Sequence, residues 1–343
     1  MPKSKRVTLK QVAEHASVSP MTVSNFVNGR LELLSPKMRE RVERSVKALN
    51  YRRNYGAHLL RTSKLWSIGM LVVDESDHYL SDGYTTEIIS GVSNKLDSHG
   101  FSTLLQGVKP SEFRNSSLLR NLHTDGLCVL LSGSDSDRAG QFEEILNLGQ
   151  PTILFLEEYR HSPETVCSIV QNDYTGARDL ARHVLKRSPR HVLILTTGVN
   201  EWAAVNRRVE GMKDALGESG TVERLSVVSC GDCRIDDVGE AFAGYVSGSG
   251  YPDAVMCIND QIGLAVVKSL RTAGISVPDR TCVTGFNAFG LHRLAETTLT
   301  TMRSPAYEMG SVGATELLRA LETGRFANQS IAFSVEVVQG QSA

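Results

Sequence analysis

Six residues near the start of this 343-residue chain have the types and spacing to touch another molecule's polar edges. They are Pro20, Met21, Thr22, Ser24, Asn25 and Asn28, within VTLKQVAEHASVSPMTVSNFVN over residues 7–28. An Asn amide can pair with N6 and N7 of adenine, Met and Pro offer apolar contact to a thymine methyl, and short hydroxyls can reach a phosphate. That chemistry is DNA recognition. An ordinary helical hairpin, common in globular domains, would show the same pattern.

Other reactive groups lead nowhere comparable. Cys230 and Cys233 make one C-x-x-C, but no second pair or nearby His completes a closed zinc site, so no metal is expected. Glu157 and Glu158 are adjacent acids without a nucleophile or base beside them. The chain has neither G-x-x-x-x-G-K-[S/T] nor G-x-G-x-x-G after a strand, so no nucleotide cofactor, catalytic residue or enzyme activity is expected.

The six residues need a scaffold, and the sequence supplies one. Leu9, Val12, Ala13 and Ala16 recur at i, i+3, i+4 and i+7, giving one helix an apolar stripe, with Thr8 as its cap. Val18 anchors a turn. Ser19 caps a second helix that opens on Pro20 and turns Val23, Phe26 and Val27 inward. Ser35 caps a third helix to about Leu49, with Met38, Val42, Val46 and Leu49 inward and Glu40/Arg44 and Glu43/Lys47 as outward pairs. Charge separates this head from the rest. Residues 1–61 carry 13 Lys and Arg against 4 Glu, a balance of +9, whereas the remainder is at −10. A basic head on an acidic body fits a phosphate-binding module joined to something else. No apolar h-region follows Met1 and no apolar run nears the roughly 18 residues that span a bilayer, so a cytoplasmic protein with no membrane partner is expected. The six cysteines are expected as thiols.

From Trp66 onward the texture is different. SIGMLVV, STLLQGV, GLCVLLSG, PTILFLEE, HVLILTTG, DAVMCIND and TCVTGFN are short apolar runs separated by helical periods such as 86–99, 175–186 and 204–216. Near-continuous apolar strands alternating with helices predict doubly wound parallel α/β sheets, and about 277 residues suffice for two lobes.

The segments VTLKQVAEHASVSPMTVSNFVNG, SPKMRERVERSVKALNYRRN and SIGMLV resemble the amino-terminal pattern of the lactose-repressor (LacI/GalR) family of bacterial transcription regulators. The resemblance runs on through IVQNDYTGARDLARHVL, NRRVEGMKDAL, PDAVMCINDQIGLAVVKSLRTAGISVPD, VTGFN, LTTMRSP and SVEVVQGQS. PMTVSNF and MGSVGATELL resemble its gluconate-repressor branch. It implies a helix-turn-helix headpiece (1–50), a hinge helix and linker (51–66), and a periplasmic-binding-protein-like, effector-binding and dimerisation body (67–343) with crossovers near 170, 302 and 333. It also implies a homodimer on a palindromic double-stranded operator, controlled by a sugar or sugar acid held between the lobes.

Residue roles follow from the same resemblance. Pro20, Met21 and Asn25 fall at the base-reading positions, Asn25 where the family usually has Arg. Thr8, Ser19, Thr22, Ser24 and Asn28 fall at phosphate positions. In the hinge, Leu60 is the minor-groove wedge, with Ala57 and His58 beside it; Gly56 and Arg53 depart from the usual residues there. In the cleft, Arg208 would hold sugar hydroxyls or a carboxylate, Asn259 supplies an amide, and Asp260 braces the loop. Tyr84, after an insertion over 74–83, stands for a stacking aromatic, Glu157 for a ligand-binding acid and Cys233 for a pocket-closing aromatic. Asn287 replaces the usual Asp of GFD, which points toward an anionic effector such as a sugar acid.

Overall fold

Capping and apolar periodicity define the head. Helix α1 (Leu9–Ala16) begins at Thr8, whose side chain accepts from the Gln11 N–H while Gln11 reaches back to Thr8, and ends at Ser17 in the left-handed region. Helix α2 (Pro20–Val27) begins after Ser19, whose Oγ accepts from the Thr22 N–H at 3.1 Å. Helix α3 (Pro36–Ala48) is capped by Ser35. Val12, Ala13, Ala16, Val23 and Val42 form the small core, with Leu9, Phe26, Val27, Val46 and Leu49 packed around it. Arg41 ties α3 to the end of α1 by donating to the Ala16 carbonyl at 2.7 Å. Met38 corrects the expectation of an inward residue, being 43% exposed. It sits on the first turn of α3, and Leu34, just before the cap, is buried instead.

The computed structural model describes residues 7–27, 29–52, 64–159, 162–198, 202–231 and 235–343. Asn28, Ala57, His58, Leu60 and Cys233 lie outside the described residues. The chain divides into two compact units, Met1–Leu65 and Trp66–Ala343.

The body contains two parallel sheets. The first takes β1 (Ser67–Val73), β2 (Ser102–Val108), β3 (Gly126–Leu130), β4 (Thr152–Phe155), β5 (Val166–Gln171) and, from the far end of the chain, β11 (Ser330–Phe333), in the order β11-β5-β4-β3-β1-β2. The second takes β6 (His191–Thr196), β7 (Arg224–Ser229), β8 (Ala254–Cys257) and β9 (Cys282–Thr284), in the order β7-β6-β8-β9. Between them β10 (Thr301–Arg303) and β12 (Glu336–Val338) pair antiparallel. The chain thus passes from one sheet to the other three times, after Gln171, after Arg303 and after Phe333.

Alternation along each strand builds the layers. Ile68, Met70 and Val72 of β1 face α4 (Gly83–Asp97) and α11 (Ala306–Thr323), while Leu71 and Val73 face α5 (Ser117–Arg120) and α6 (Asp135–Leu148). In the second lobe α7 (Asp173–Leu185) and α8 (Ala203–Glu218) cover one face, and α9 (Ile235–Ser249) and α10 (Asp260–Thr272) the other. Among the described residues no helix is long and apolar enough to cross a membrane.

Candidate DNA-reading face and effector cleft

On the head, Val23, Phe26 and Val27 point α2 into the core, which turns Pro20, Met21, Ser24 and Asn25 onto one arc of about 140° at 100° per residue. Pro20 and Met21 are exposed, Met21 by 63%, and Ser24 and Asn25 are half-buried. Thr8 and Ser19 sit at the starts of α1 and α2, where unsatisfied N–H groups and the helix dipole favour phosphate. Thr22 is joined to Ser19, Oγ to Oγ1 at 2.9 Å. Pro20, Met21, Ser24 and Asn25 therefore share one arc of α2, and the Ser19–Thr22 pair lies at its start.

In the body a cleft enclosing ≈ 180 Å³ lies between the lobes, at the carboxyl ends of β1, β4, β6, β7, β8 and β9. Doubly wound sheets bind ligands at such strand ends. Of the sequence candidates, Tyr84, Arg208, Asn259 and Asn287 line it. Glu157 does not line it; it is buried in an ion pair with Arg138, Nε to Oε1 2.5 Å.

Arg208 is the best-held of these side chains. Its Nε donates to Asp173 Oδ1 at 2.7 Å, its Nη1 donates to the Ile258 carbonyl at 2.9 Å, and its guanidinium carbon lies 3.9 Å from the Phe286 ring centre. The fork is fixed before any ligand arrives, and its charge is already met by a carboxylate that is 0% exposed. Asn259 caps α10, its Oδ1 accepting from the Ile262 N–H at 2.8 Å, and so brings the start of that helix to the cleft. Asn287 sits at φ +107°, sparsely populated for any residue but glycine, held by its N–H to the Met302 carbonyl and by Ser304 donating to its Oδ1. Tyr84 is buried, its hydroxyl donates to Met309 Sδ at 3.2 Å, and the Arg208 guanidinium lies 5.8 Å from its ring. Burial pushes its phenol well above the usual range.

Asp260 does brace the loop. Its Oδ1 accepts from the Thr301 hydroxyl and its Oδ2 from the Ala288 N–H at 2.7 Å, beside Asn287. Desolvation raises its pKa to about 6, against the lowering effect of those hydrogen bonds. A folded-state pKa above the unfolded value means that the folded state holds the proton more tightly. This contribution to stability is therefore present below about pH 4 and lost as pH rises through about 6. Asp260→Asn should remove a decline of about 3 kcal/mol over that window, read as the wild-type minus variant difference in urea unfolding at pH 4 and pH 7.

Residue types alone missed much of the first-lobe wall. Asp74, Ser76, His78, Tyr79, Ser81 and Asp82 line the cleft from the segment between β1 and α4. That segment is tied down by Lys109 to Asp77 at 3.2 Å and by the Tyr79 ring seated over Gly107, where a β-carbon would overlap it. Asp82 caps α4, its Oδ2 accepting from the Thr85 N–H and hydroxyl. The signal was present as the polar run DESDHYLSDGY after SIGMLVV. Trp202 and Gln261, on the second-lobe side, were also missed.

A sequence profile of the bacterial regulatory proteins of the lacI family matches residues 8–54, and one of the periplasmic binding protein-like domain matches residues 181–343. The headpiece is a LacI-family helix-turn-helix domain. The chain is a DNA-binding transcriptional regulator in which a lacI-type headpiece is joined to a periplasmic-binding-protein-like body. Among curated LacI-family relatives it is similar to the HTH-type transcriptional regulator CelR of Thermobifida fusca, 26% identical over 90% of each chain. It is similar to the regulator GntR of Escherichia coli (strain K12) at 26% over 92% of each. Among solved structures it shares the fold of the Lac repressor dimer bound to operator and the anti-inducer ONPF (TM-score 0.78, 21% identity, 98% and 99% of the two chains). The CelR–cellobiose complex has the same fold (TM-score 0.70, 24% identity, 98% and 100%).

Proposed function

We propose that this LacI-family regulator is a cytoplasmic, non-enzymatic repressor that binds a palindromic operator as a homodimer. Its effector is a neutral sugar in the inter-lobe cleft. The observation that carries the ligand class is the charge pattern of the lining. Arg208 is its one arginine or lysine among the described residues, and Asp173 already balances it, whereas Asp74 and Asp82 add two carboxylates on the facing lobe. With Oδ2 given to Thr85, Asp82 keeps Oδ1 as an acceptor, and Arg208, Asn259 and Asn287 offer polar groups from the other side. Hydroxyls, which both donate and accept, satisfy both walls. A carboxylate meets two like charges.

The sugar acid suggested by Asn287 therefore loses its ground, because the Asp-to-Asn change is offset by acids elsewhere in the wall. Identity to GntR equals that to CelR, so membership of the gluconate branch carries no weight in this reading. The cellobiose held by CelR is in keeping with a neutral ligand. Isothermal calorimetry against neutral mono- and disaccharides and the matching aldonates tests the assignment. Binding confined to neutral sugars is expected; tight binding of an aldonate with none of its parent sugar would overturn it.

For the headpiece, Asn25→Ala should cost about 1–3 kcal/mol of discrimination at one base pair of each half-site and little elsewhere. Half-sites selected from random DNA by this variant should lose information at that position. Unchanged half-sites would remove Asn25 from base reading.

A further inference from the structure

Glu157 does not line the cleft, and Leu156 before it, which does, has a second role. Leu156, the residue after β4, has φ +66° and donates its N–H to the Ile169 carbonyl at 2.9 Å, which anchors it to β5. That carbonyl accepts from Arg207 Nη2 at 2.7 Å. Leu156 belongs to the first lobe and Arg207, on α8, to the second, so the hydrogen bond crosses between lobes. Arg207 is not among the cleft-lining residues.

The receiving end is rigid. Glu157, next in the chain, is paired with Arg138, which also donates to the Gly133 carbonyl and to Asp135, each at 2.5 Å. The donating end is seated as well. Ala204, one turn before Arg207 on α8, is buried in the first lobe's core, and Trp202 packs against that core. The start of α8 thus docks on the opposite lobe, with Arg207 as its polar fastening.

We infer that Arg207 is a lobe-bridging latch: its guanidinium, closing on the Leu156 carbonyl beside the Glu157–Arg138 pair, sets the balance between closed and open cleft without touching the effector. Glu157 then serves as part of the latch's seat rather than as a ligand group. The consequence for effector affinity rests on the cleft being the effector site. A cleft closed for a larger fraction of the time binds more tightly in proportion to that fraction.

The test needs no effector, so it stands apart from the ligand assignment. Spin labels at Ser81 and Gln261, exposed residues on the two lips of the cleft, would be placed in the full chain with Cys233→Ser, and the inter-label distance measured by pulsed dipolar spectroscopy. Arg207→Met and Arg207→Gln should lengthen the distance distribution while at least one keeps its melting midpoint within about 2 °C of the parent. Distributions that overlay the parent in both variants, whatever their midpoints, overturn the latch. So does lengthening that comes only with a lowered midpoint in both, since Arg207 would then support the fold rather than the closure.

Discussion

Arg208→Met is expected to cost the body about 3–5 kcal/mol and to abolish its response to effector, the largest loss from any single cleft residue. Asp173 is fully buried, and its Oδ1 accepts from Arg208 Nε and from Gln171 Nε2, each at 2.7 Å. Its Oδ2 has no hydrogen-bond partner among the described residues. Removing the guanidinium leaves a buried carboxylate facing one neutral amide. Met fills a similar length against Phe286 but cannot donate to the Ile258 carbonyl. Urea unfolding of Arg208→Met, Asp173→Asn and the double variant separates the effects. The double variant should recover a good part of the loss, because the stranded charge is gone. A single variant within about 1 kcal/mol of the parent would show that the pair does not organise the cleft.

Gly310→Val is expected to match that loss without altering a polar group. Helices α4 and α11 approach until backbone meets backbone. A β-carbon on Gly310 would overlap the Ile88 carbonyl oxygen, and one on Gly91 the Tyr307 carbonyl oxygen. These contacts are with main chain and cannot be relieved by a rotamer change, so the helices must separate. A cost of about 3 kcal/mol or more is expected, at the upper end for overpacking. Because α4 carries Asp82 at its cap and Tyr84 in its first turn, separation should also weaken effector binding. A lowered urea midpoint with an unchanged m-value checks the first effect. A Gly310→Val protein as stable as the parent would mean that the two helices are not in contact as described.

Elements built from local pattern were legible in the sequence. The caps at Thr8, Ser19 and Ser35, the apolar stripe of α1 and the buried runs of β1, β3, β4, β6, β8 and β9 are all local patterns, and all appear. Strand β7 escaped because it is an edge strand whose exposed and half-buried residues break the apolar run. Strands β10, β11 and β12 escaped because three or four residues hold no period, and their partners lie far away in the chain, as with β11 beside β5. Met38 was misplaced because periodicity does not tell where a small core ends.

The cleft divides in the same way. Arg208, Asn259 and Asn287 lie beside strand ends, which a pattern of strands locates. Asp74 and Asp82 sit in a segment whose path is set by Lys109 and Gly107 on β2 and its end, more than twenty residues on. Glu157 was read as a ligand from its place after β4, but its direction depends on Arg138 from α6. Orientation set by a distant partner is the information a linear reading lacks.

In the proposed function a ligand in the cleft controls operator binding by the headpiece. Fluorescence anisotropy on a palindromic operator selected from random DNA, titrated with and without the sugar identified by calorimetry, tests it most directly. The sugar should shift operator affinity at least tenfold in the parent and leave it unchanged in a folded Arg208 variant, such as Arg208→Met combined with Asp173→Asn. Operator affinity indifferent to a sugar that calorimetry shows bound in the cleft would contradict the account.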